Sequence, residues 1–339
     1  MRALARTLAR VLLGGAAVIA LLFGGTAIGL ARLAPSHDRP WILEQSRMPV
    51  VHFDGDRIVV DDIRNFDWSG TGEPQRRWES RDYDLTRLET VWYILTPFAR
   101  DWRGPAHAFL SFGFDDGRFL AISVEARREA GETYSILKGL LKRFELMYVI
   151  GDERDLIGLR VLRSDDDVLV YPARATPDAA RALLVEMLEE ANRLAAQPAF
   201  YGSFRNNCTT RILQHVNRIA PEPIPYGWRV LLPGYSDALA HERNLLATEL
   251  PLDAARERFH VNDRAVAHID DPGFSLRIRE PALTPDPRRT PGHLSNPPRP
   301  RPEAADTITL LTAAQPRDRG GQRAAPARSR TRRQWRALK

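Results

Sequence analysis

Residues 105–125, PAHAFLSFGFDDGRFLAISVE, predict two antiparallel strands joined by a tight turn, and the register of this hairpin determines which side chains face the core. Two registers are possible. A three-residue loop at 115–117 pairs Phe114 with Arg118, whereas a two-residue loop shifts every pair by one position. The shift moves each side chain to the other face of the hairpin. Only the three-residue loop, with glycine in the left-handed position, gives one wholly apolar face, formed by Ala108, Leu110, Phe112, Leu120, Ile122 and Val124.

The predicted register has a chemical consequence on the other face of the hairpin. His107 falls opposite Glu125, with Cβ atoms about 4.5–5.5 Å apart. A carboxylate at this distance orients an imidazole and stabilises its protonated form, as in one half of a nucleophilic triad. Ser111 and Ser123 share this face and are further polar candidates. The alternative interpretation is a surface His–Glu pair that contributes little energy.

The single cysteine of the chain, Cys208, lies in the polar sequence NNCTT (206–210), where we predict that a helix begins. Unsatisfied N–H groups and the macrodipole at a helix N-terminus favour a thiolate. Asn206 or Asn207 can cap the helix, and an amide side chain there can donate a hydrogen bond to a developing oxyanion. An inert buried cysteine is the alternative. The predicted catalytic set is Cys208 as nucleophile, His107 as base and Glu125 as the orienting acid.

Segments outside this hairpin have both strand and helix character, which predicts an α+β domain. A second tight hairpin is predicted at 52–57, and further strands at 144–150 and 167–171. Thr176 followed by Pro177 is typical of a helix start, and apolar residues at helical spacing continue to about residue 196.

An uncharged apolar run covers residues 11–31 and follows Arg2, Arg6 and Arg10. At about 1.5 Å per residue this run spans a hydrocarbon core of roughly 30 Å. The arginines favour a cytoplasmic N-terminus and place the body across the membrane. A cleaved signal peptide is the alternative, but no clear cleavage site follows the run. We therefore expect a single-pass membrane anchor with the body of the chain outside the cytoplasm.

The charge is unevenly distributed along the chain. Residues 281–339 contain twelve Arg and one Lys against four acidic residues, and ten of the 25 prolines, which predicts a disordered tail. Residues 33–280 are acidic overall, which does not favour a nucleic-acid partner. One cysteine excludes an internal disulfide framework and a multi-cysteine zinc site, and no histidines have metal-ligand spacing. We therefore expect neither a metal nor a cofactor.

Several short motifs in order along the chain resemble the Lnb N-terminal periplasmic domain family. They are HAFLSF (107–112), SVEARR (123–128), GETYS (131–135), YVIGDERD (148–155), FY (200–201) and NNCTT (206–210). The resemblance implies a circularly permuted papain-like fold, similar to NlpC-type and lecithin:retinol acyltransferase-like enzymes, with an antiparallel sheet packed on helices. It implies the same roles for Cys208, His107 and Glu125. The best-described activity of the family, lipoprotein N-acylation, implies that a phospholipid acyl chain passes through a thioester to the α-amine of a lipidated cysteine.

These observations predict five segments. They are the cytoplasmic N-terminus and anchor (1–32), a linker with a short β segment (33–75), the Lnb-type domain (76–250), a C-terminal extension (251–280) and the tail (281–339). With what the resemblance implies, we expect a thiol enzyme that is anchored in the inner membrane, has its catalytic domain in the periplasm, and transfers or hydrolyses acyl groups of a phospholipid or lipoprotein substrate at the bilayer. A cell-wall peptide amidase or peptidase with the same Cys–His pair and a non-enzymatic envelope scaffold are the alternatives. The sequence does not determine the oligomeric state.

Overall fold

The computed structural model describes residues 2–98, 103–164 and 166–280, and the tail predicted to be disordered, 281–339, lies outside them. Eight strands form one sheet: β1 (Val50–Asp54), β2 (Arg57–Arg64), β3 (Trp78–Asp84), β4 (Leu88–Pro97), β5 (Ala106–Phe114), β6 (Phe119–Arg127), β7 (Glu145–Gly151) and β8 (Leu169–Pro172). The order across the sheet is β1-β2-β7-β6-β5-β4-β8, and β3 pairs with β2.

The pairing is antiparallel except between β2 and β7, which run parallel at the pair Arg64–Gly151. The predicted register of the central hairpin is confirmed, because Phe112 lies opposite Leu120. Gly117 has a φ of 80°, so the glycine occupies the left-handed position that the three-residue loop requires. The predicted hairpin at 52–57 is also present, as β1 and β2.

The helices are α1 (Arg2–Arg32), α2 (Ile136–Leu140), α3 (Glu153–Leu159), α4 (Pro177–Ala196), α5 (Cys208–Ile219), α6 (Trp228–Leu231), α7 (Ser236–Glu242), α8 (Leu252–Phe259), α9 (Asn262–Ala267) and α10 (Phe274–Arg277). A π-helical turn, Arg160–Ser164, follows α3. Together with the sheet they confirm the predicted α+β class. The predicted start of α4 is confirmed, because Thr176 Oγ1 accepts a hydrogen bond from the N–H of Ala179 (3.2 Å).

Helices cover both faces of the sheet. The apolar face of the central hairpin packs against α4 and α5 in one core cluster, to which α4 contributes Leu183, Leu184, Met187, Leu188, Ala191 and Leu194. The opposite face buries Phe109, Ala121, Met147 and Val149 against α3 and the C-terminal helices. Strand β5 is therefore buried along its whole length. A buried strand holds its side chains in fixed positions, which suits a site that depends on geometry.

The segment after residue 250 is helical, and a buried ion pair joins its end to the first residue of α3. Arg279 is 1 % exposed, and its Nη1 donates to Glu153 Oε2 at 2.7 Å. Its guanidinium also lies over the rings of Trp92 (4.4 Å) and Phe119 (4.1 Å). Cation–π contacts of this kind are strongest where water is excluded.

Helix α1 contains the candidate membrane span. Its segment Leu12–Leu30 has a mean hydropathy of 2.0 and is not buried against the rest of the chain. By length and composition it can cross a bilayer.

Candidate active site

The hairpin register brings His107 and Glu125 together at one end of the sheet. His107 is the second residue of β5, and its Nε2 lies 3.2 Å from Glu125 Oε1 on β6. Cys208 is the first residue of α5 and belongs to the core cluster in which that helix packs on the hairpin. The three residues predicted from the sequence thus meet at one place, although Cys208 is about a hundred positions from His107 in the chain.

Ser123 links the imidazole to the carboxylate. Its Oγ donates to Glu125 Oε1 at 2.7 Å and lies 2.6 Å from Nε2 of His107, so that it accepts from the imidazole N–H. Because Nε2 is engaged on the carboxylate side, we infer that Nδ1 forms the hydrogen bond between His107 and Cys208. Ser111, the other serine of this face, is buried and does not line the cleft.

The thiol and the imidazole change each other's ionisation. Burial raises the pKa of Cys208, but His107 and the backbone N–H of Ala108 outweigh it and lower the pKa overall. Burial also lowers the pKa of His107, but the Glu125 carboxylate and Cys208 raise it to about 9. These opposite shifts favour a thiolate–imidazolium pair over the neutral pair near pH 7.

Glu125 stays ionised although it is largely buried. Burial raises its pKa, but His107, Arg160 and the hydroxyl of Ser123 lower it well below the usual range. Arg160 Nη2 lies 3.5 Å from Glu125 Oε1. Arg160 belongs to the π-helical turn after α3, and no motif in the sequence indicated that it would reach this site.

The NNCTT sequence, residues 206–210, forms the N-cap and the first turn of α5. Asn207 is the N-cap: its Oδ1 accepts from the N–H of Thr210 (2.8 Å), while Thr210 Oγ1 accepts from the N–H of Asn207 (2.9 Å). The amide nitrogen of Asn207 donates to Ser203 O at 2.8 Å and is therefore turned into the protein. Asn206 does not cap the helix, and its amide nitrogen lies 3.5 Å from Phe200 O. The backbone N–H groups at the start of α5 are therefore better placed than either amide to meet an oxyanion.

The three residues line a cleft of about 610 Å³. Cys208 and His107 are 5 % and 7 % exposed, so the reacting groups form its wall and are shielded from bulk water. Tyr134 and Tyr201 also line the cleft, with their hydroxyl oxygens 3.4 Å apart. Burial and the neighbouring Cys208 raise the pKa of Tyr201, so its hydroxyl stays protonated and can donate a hydrogen bond. The FY motif at 200–201 pointed to Tyr201 in the sequence, but neither the motif nor its position in the chain predicted a role for this tyrosine.

Within residues 2–98, 103–164 and 166–280, no group of three or more His, Cys, Asp or Glu side chains is arranged to hold a metal ion.

Neither the curated proteins nor the solved structures contain a significant match to the chain. Residues 74–234, just under half of the chain, match the family described as the Lnb N-terminal periplasmic domain. The matched segment includes β4 to β8, α4, α5 and all three residues of the Cys–His–Glu site. The resemblance that the motifs predicted is therefore confirmed for the site-bearing segment 74–234, which matches the Lnb N-terminal periplasmic domain family.

Proposed function

We propose that this protein is a membrane-anchored periplasmic cysteine enzyme that forms an acyl thioester on Cys208 and passes the acyl group to a second nucleophile. One observation carries the proposal: His107 interacts with Cys208 on one side and with Ser123 and Glu125 on the other. A nucleophile, a proton carrier and a group that orients the carrier are the parts that covalent acyl transfer requires.

The first half of the reaction forms the thioester. The Cys208 thiolate attacks the carbonyl carbon of an ester, and its electron pair forms the new S–C bond while the carbonyl oxygen takes up negative charge. Backbone N–H groups at the start of α5 and the Tyr201 hydroxyl are the candidate donors to this oxyanion. When the intermediate collapses, the C–O bond breaks, and the imidazolium of His107 gives its proton to the departing alkoxide.

The second half releases the acyl group. The neutral imidazole of His107 accepts a proton from an attacking amine or water, whose electron pair forms the new bond to the carbonyl carbon. The C–S bond then breaks and the sulfur leaves as a thiolate, which restores the starting pair. Glu125, held ionised by His107 and Arg160, stabilises the imidazolium in both halves.

The proposal includes a circularly permuted papain-like arrangement. What supports it is the order of the site residues: the histidine and glutamate lie on neighbouring strands, and the cysteine follows them in the chain at the N-terminus of a helix packed on those strands. The predicted antiparallel sheet is present apart from the single parallel pairing of β2 with β7.

The proposed substrates are a phospholipid as acyl donor and the α-amine of a lipoprotein as acceptor. The family match and the candidate span in α1 fit a membrane-anchored periplasmic protein. We propose the inner membrane as its location, because the arginines before the apolar run favour a cytoplasmic N-terminus.

The test is the mass of the intact protein after incubation of the full chain with phospholipid in mixed micelles. We expect an added acyl mass that neutral hydroxylamine removes, because a thioester is cleaved under those conditions. Cys208 is the only cysteine, so the adduct has one possible position. Cys208→Ala should abolish the adduct. His52→Ala is the matched control, because that exposed histidine lies on the β1–β2 hairpin, where it pairs with Asp61.

Two results would contradict the proposal. A hydroxylamine-resistant adduct, or one that persists in Cys208→Ala, would exclude the thioester. New amino termini in purified peptidoglycan, produced by the wild type and not by Cys208→Ala, with no acyl adduct from phospholipid, would instead support a cell-wall amidase.

A further inference from the structure

The short helix α2 exposes apolar side chains to an unusual degree. Leu137 is 64 % exposed, Ile136 51 % and Leu140 42 %, and Leu141 directly after the helix is 37 % exposed. Three large aliphatic side chains of this five-residue helix and the one that follows it thus leave a large part of their apolar surface in solvent, where that surface contributes nothing to folding. Contiguous apolar patches of this kind mark interaction surfaces.

The exposed surface continues beyond α2 through two hydrogen bonds. Ser203 Oγ donates to Ile136 O at 2.9 Å, which places the 203–204 segment against the start of the helix. Phe204 is 50 % exposed, and the hydroxyl of Tyr226, itself 54 % exposed, donates to Phe204 O. We call this surface the apolar platform; it consists of Ile136, Leu137, Leu140, Leu141, Phe204 and Tyr226.

The platform lies beside the end of the candidate membrane span. Lys142, one residue after Leu141, donates from Nζ to Leu30 O at 3.2 Å. Leu30 is the last residue of that span. A transmembrane helix leaves the hydrocarbon core at the end of its apolar span. Because the platform is hydrogen-bonded to that end, it lies at the depth of the lipid headgroups.

The charges around the platform are those that a phospholipid surface attracts. Lys138 and Lys142 carry ammonium groups on the same short segment as the exposed leucines. Lysine side chains place their aliphatic parts along apolar surface and their charges among headgroups. Tyrosine and lysine beside exposed aliphatic residues are the composition of a membrane-interface surface.

The platform also borders the mouth of the active-site cleft. Tyr134, two residues before α2, is 44 % exposed and lines the cleft that contains Cys208. Its hydroxyl lies 3.4 Å from that of Tyr201 inside the cleft. A lipid at the platform is therefore adjacent to the entrance of the site.

We infer that the apolar platform inserts into the interfacial layer of the bilayer that holds α1, and that it binds anionic phospholipid through Lys138 and Lys142. The mouth of the cleft then opens at the membrane surface, where an acyl chain enters without crossing water. The inference depends on the anchor and not on the thiol chemistry.

The test uses the full chain with Cys208→Ala, reconstituted in phosphatidylcholine vesicles with and without phosphatidylglycerol. Leu137→Cys carries an environment-sensitive fluorophore, and lipids brominated near the headgroup quench it on contact. Leu276→Cys is the matched control, because Leu276 is a 44 % exposed leucine whose side chain lies beside Gly117 in the β5–β6 turn. That turn is about 25 Å along the hairpin from His107, at about 3.3 Å per residue.

We expect a blue-shifted emission and several-fold stronger quenching at position 137 than at 276, with a further increase when phosphatidylglycerol is present. Quenching at position 137 that is no stronger than at position 276 would overturn the inference, because the platform would then not contact lipid more than a surface far from the bilayer does. A blue shift at 137 without lipid quenching would also overturn it, since a protein partner or second copy would cover the surface. Quenching that phosphatidylglycerol does not increase would remove the anionic-lipid assignment. Because Cys208 is absent throughout, none of these results depends on the proposed acyl transfer.

Discussion

Replacing His107 with alanine removes the group that lowers the pKa of the Cys208 thiol most strongly, and burial, which raises that pKa, remains. A thiol with the ordinary pKa of about 8.5 is about 3 % ionised at pH 7. The ionised fraction in the wild type is at most one, so a variant with the ordinary pKa would contain up to about 30-fold less thiolate. A thiolate of lower pKa is also a weaker nucleophile: with a Brønsted coefficient of about 0.4–0.5, each unit by which the pKa falls lowers its intrinsic rate about threefold, which offsets most of the gain in thiolate. We expect His107→Ala to slow alkylation at pH 7 by at least about twofold, and by more where burial holds the pKa of the thiol in the variant above its ordinary value.

The assay is the rate of iodoacetamide modification as a function of pH, measured by the mass of the intact chain. The wild type should show a rate that persists well below the ordinary titration range of a thiol. His107→Ala should instead rise steadily toward alkaline pH. Since the variant also widens the cleft, its rate above the thiol pKa measures access alone and serves as the reference. His52→Ala should reproduce the wild-type profile, because that histidine is exposed on another hairpin.

In the wild type the imidazolium persists up to a pKa of about 9, so the thiolate–imidazolium pair should disappear above that pH. Acyl transfer, in which His107 donates a proton, should therefore decline above pH 9, whereas alkylation should not. Identical alkylation profiles for the wild type and His107→Ala would refute the assignment of His107 as the partner of the thiol.

Three further changes test other parts of the structure. Glu125→Gln should reduce acyl transfer less than His107→Ala and move the alkaline limb of its pH profile below 9, because the carboxylate orients the imidazole and raises its pKa; an unmoved limb would contradict this. Asn207→Ala should lower the free energy of unfolding by about 1–2 kcal/mol in urea titrations, because the cap of α5 is lost, and an unchanged free energy would exclude this role. Arg279→Met leaves the Glu153 carboxylate buried without its cation and should cost about 3–5 kcal/mol, with partial recovery when Glu153→Gln is added. A cost that the second change does not reduce would exclude the ion pair as its cause.

The local pattern of the sequence was sufficient for several elements. A period of two along 105–125 fixed the hairpin register, since only one register gives an apolar face. Thr176 with Pro177 marked the start of α4, because caps act on backbone groups within a few residues. The same register predicts that His107 lies opposite Glu125, and His107 Nε2 lies 3.2 Å from Glu125 Oε1. Such features depend on neighbours in the chain or on one strand pair, so periodicity reveals them.

The strands of the region around 65–88 were not apparent, because it is rich in charged and aromatic residues without a clear period. Strand β3 forms there by pairing with β2, and its mostly half-buried side chains do not alternate between apolar and polar residues. The helices after residue 250 were not predicted from the sequence either. Their stability comes from packing on the second face of the sheet and from the Arg279–Glu153 pair, whose partners are far apart in the chain.

Local patterns along the chain were enough to identify the residue types that carry the chemistry, the register that pairs His107 with Glu125, the apolar N-terminal helix and the family resemblance. The contacts between distant elements came from the folded chain: Cys208 meets His107, Ser123 and Arg160 join Glu125, and the Asn207 amide nitrogen turns inward to Ser203 while its oxygen caps α5. Side-chain periodicity acts over a few residues, whereas packing assembles a catalytic site from elements whose separation in the chain carries no information about their separation in space.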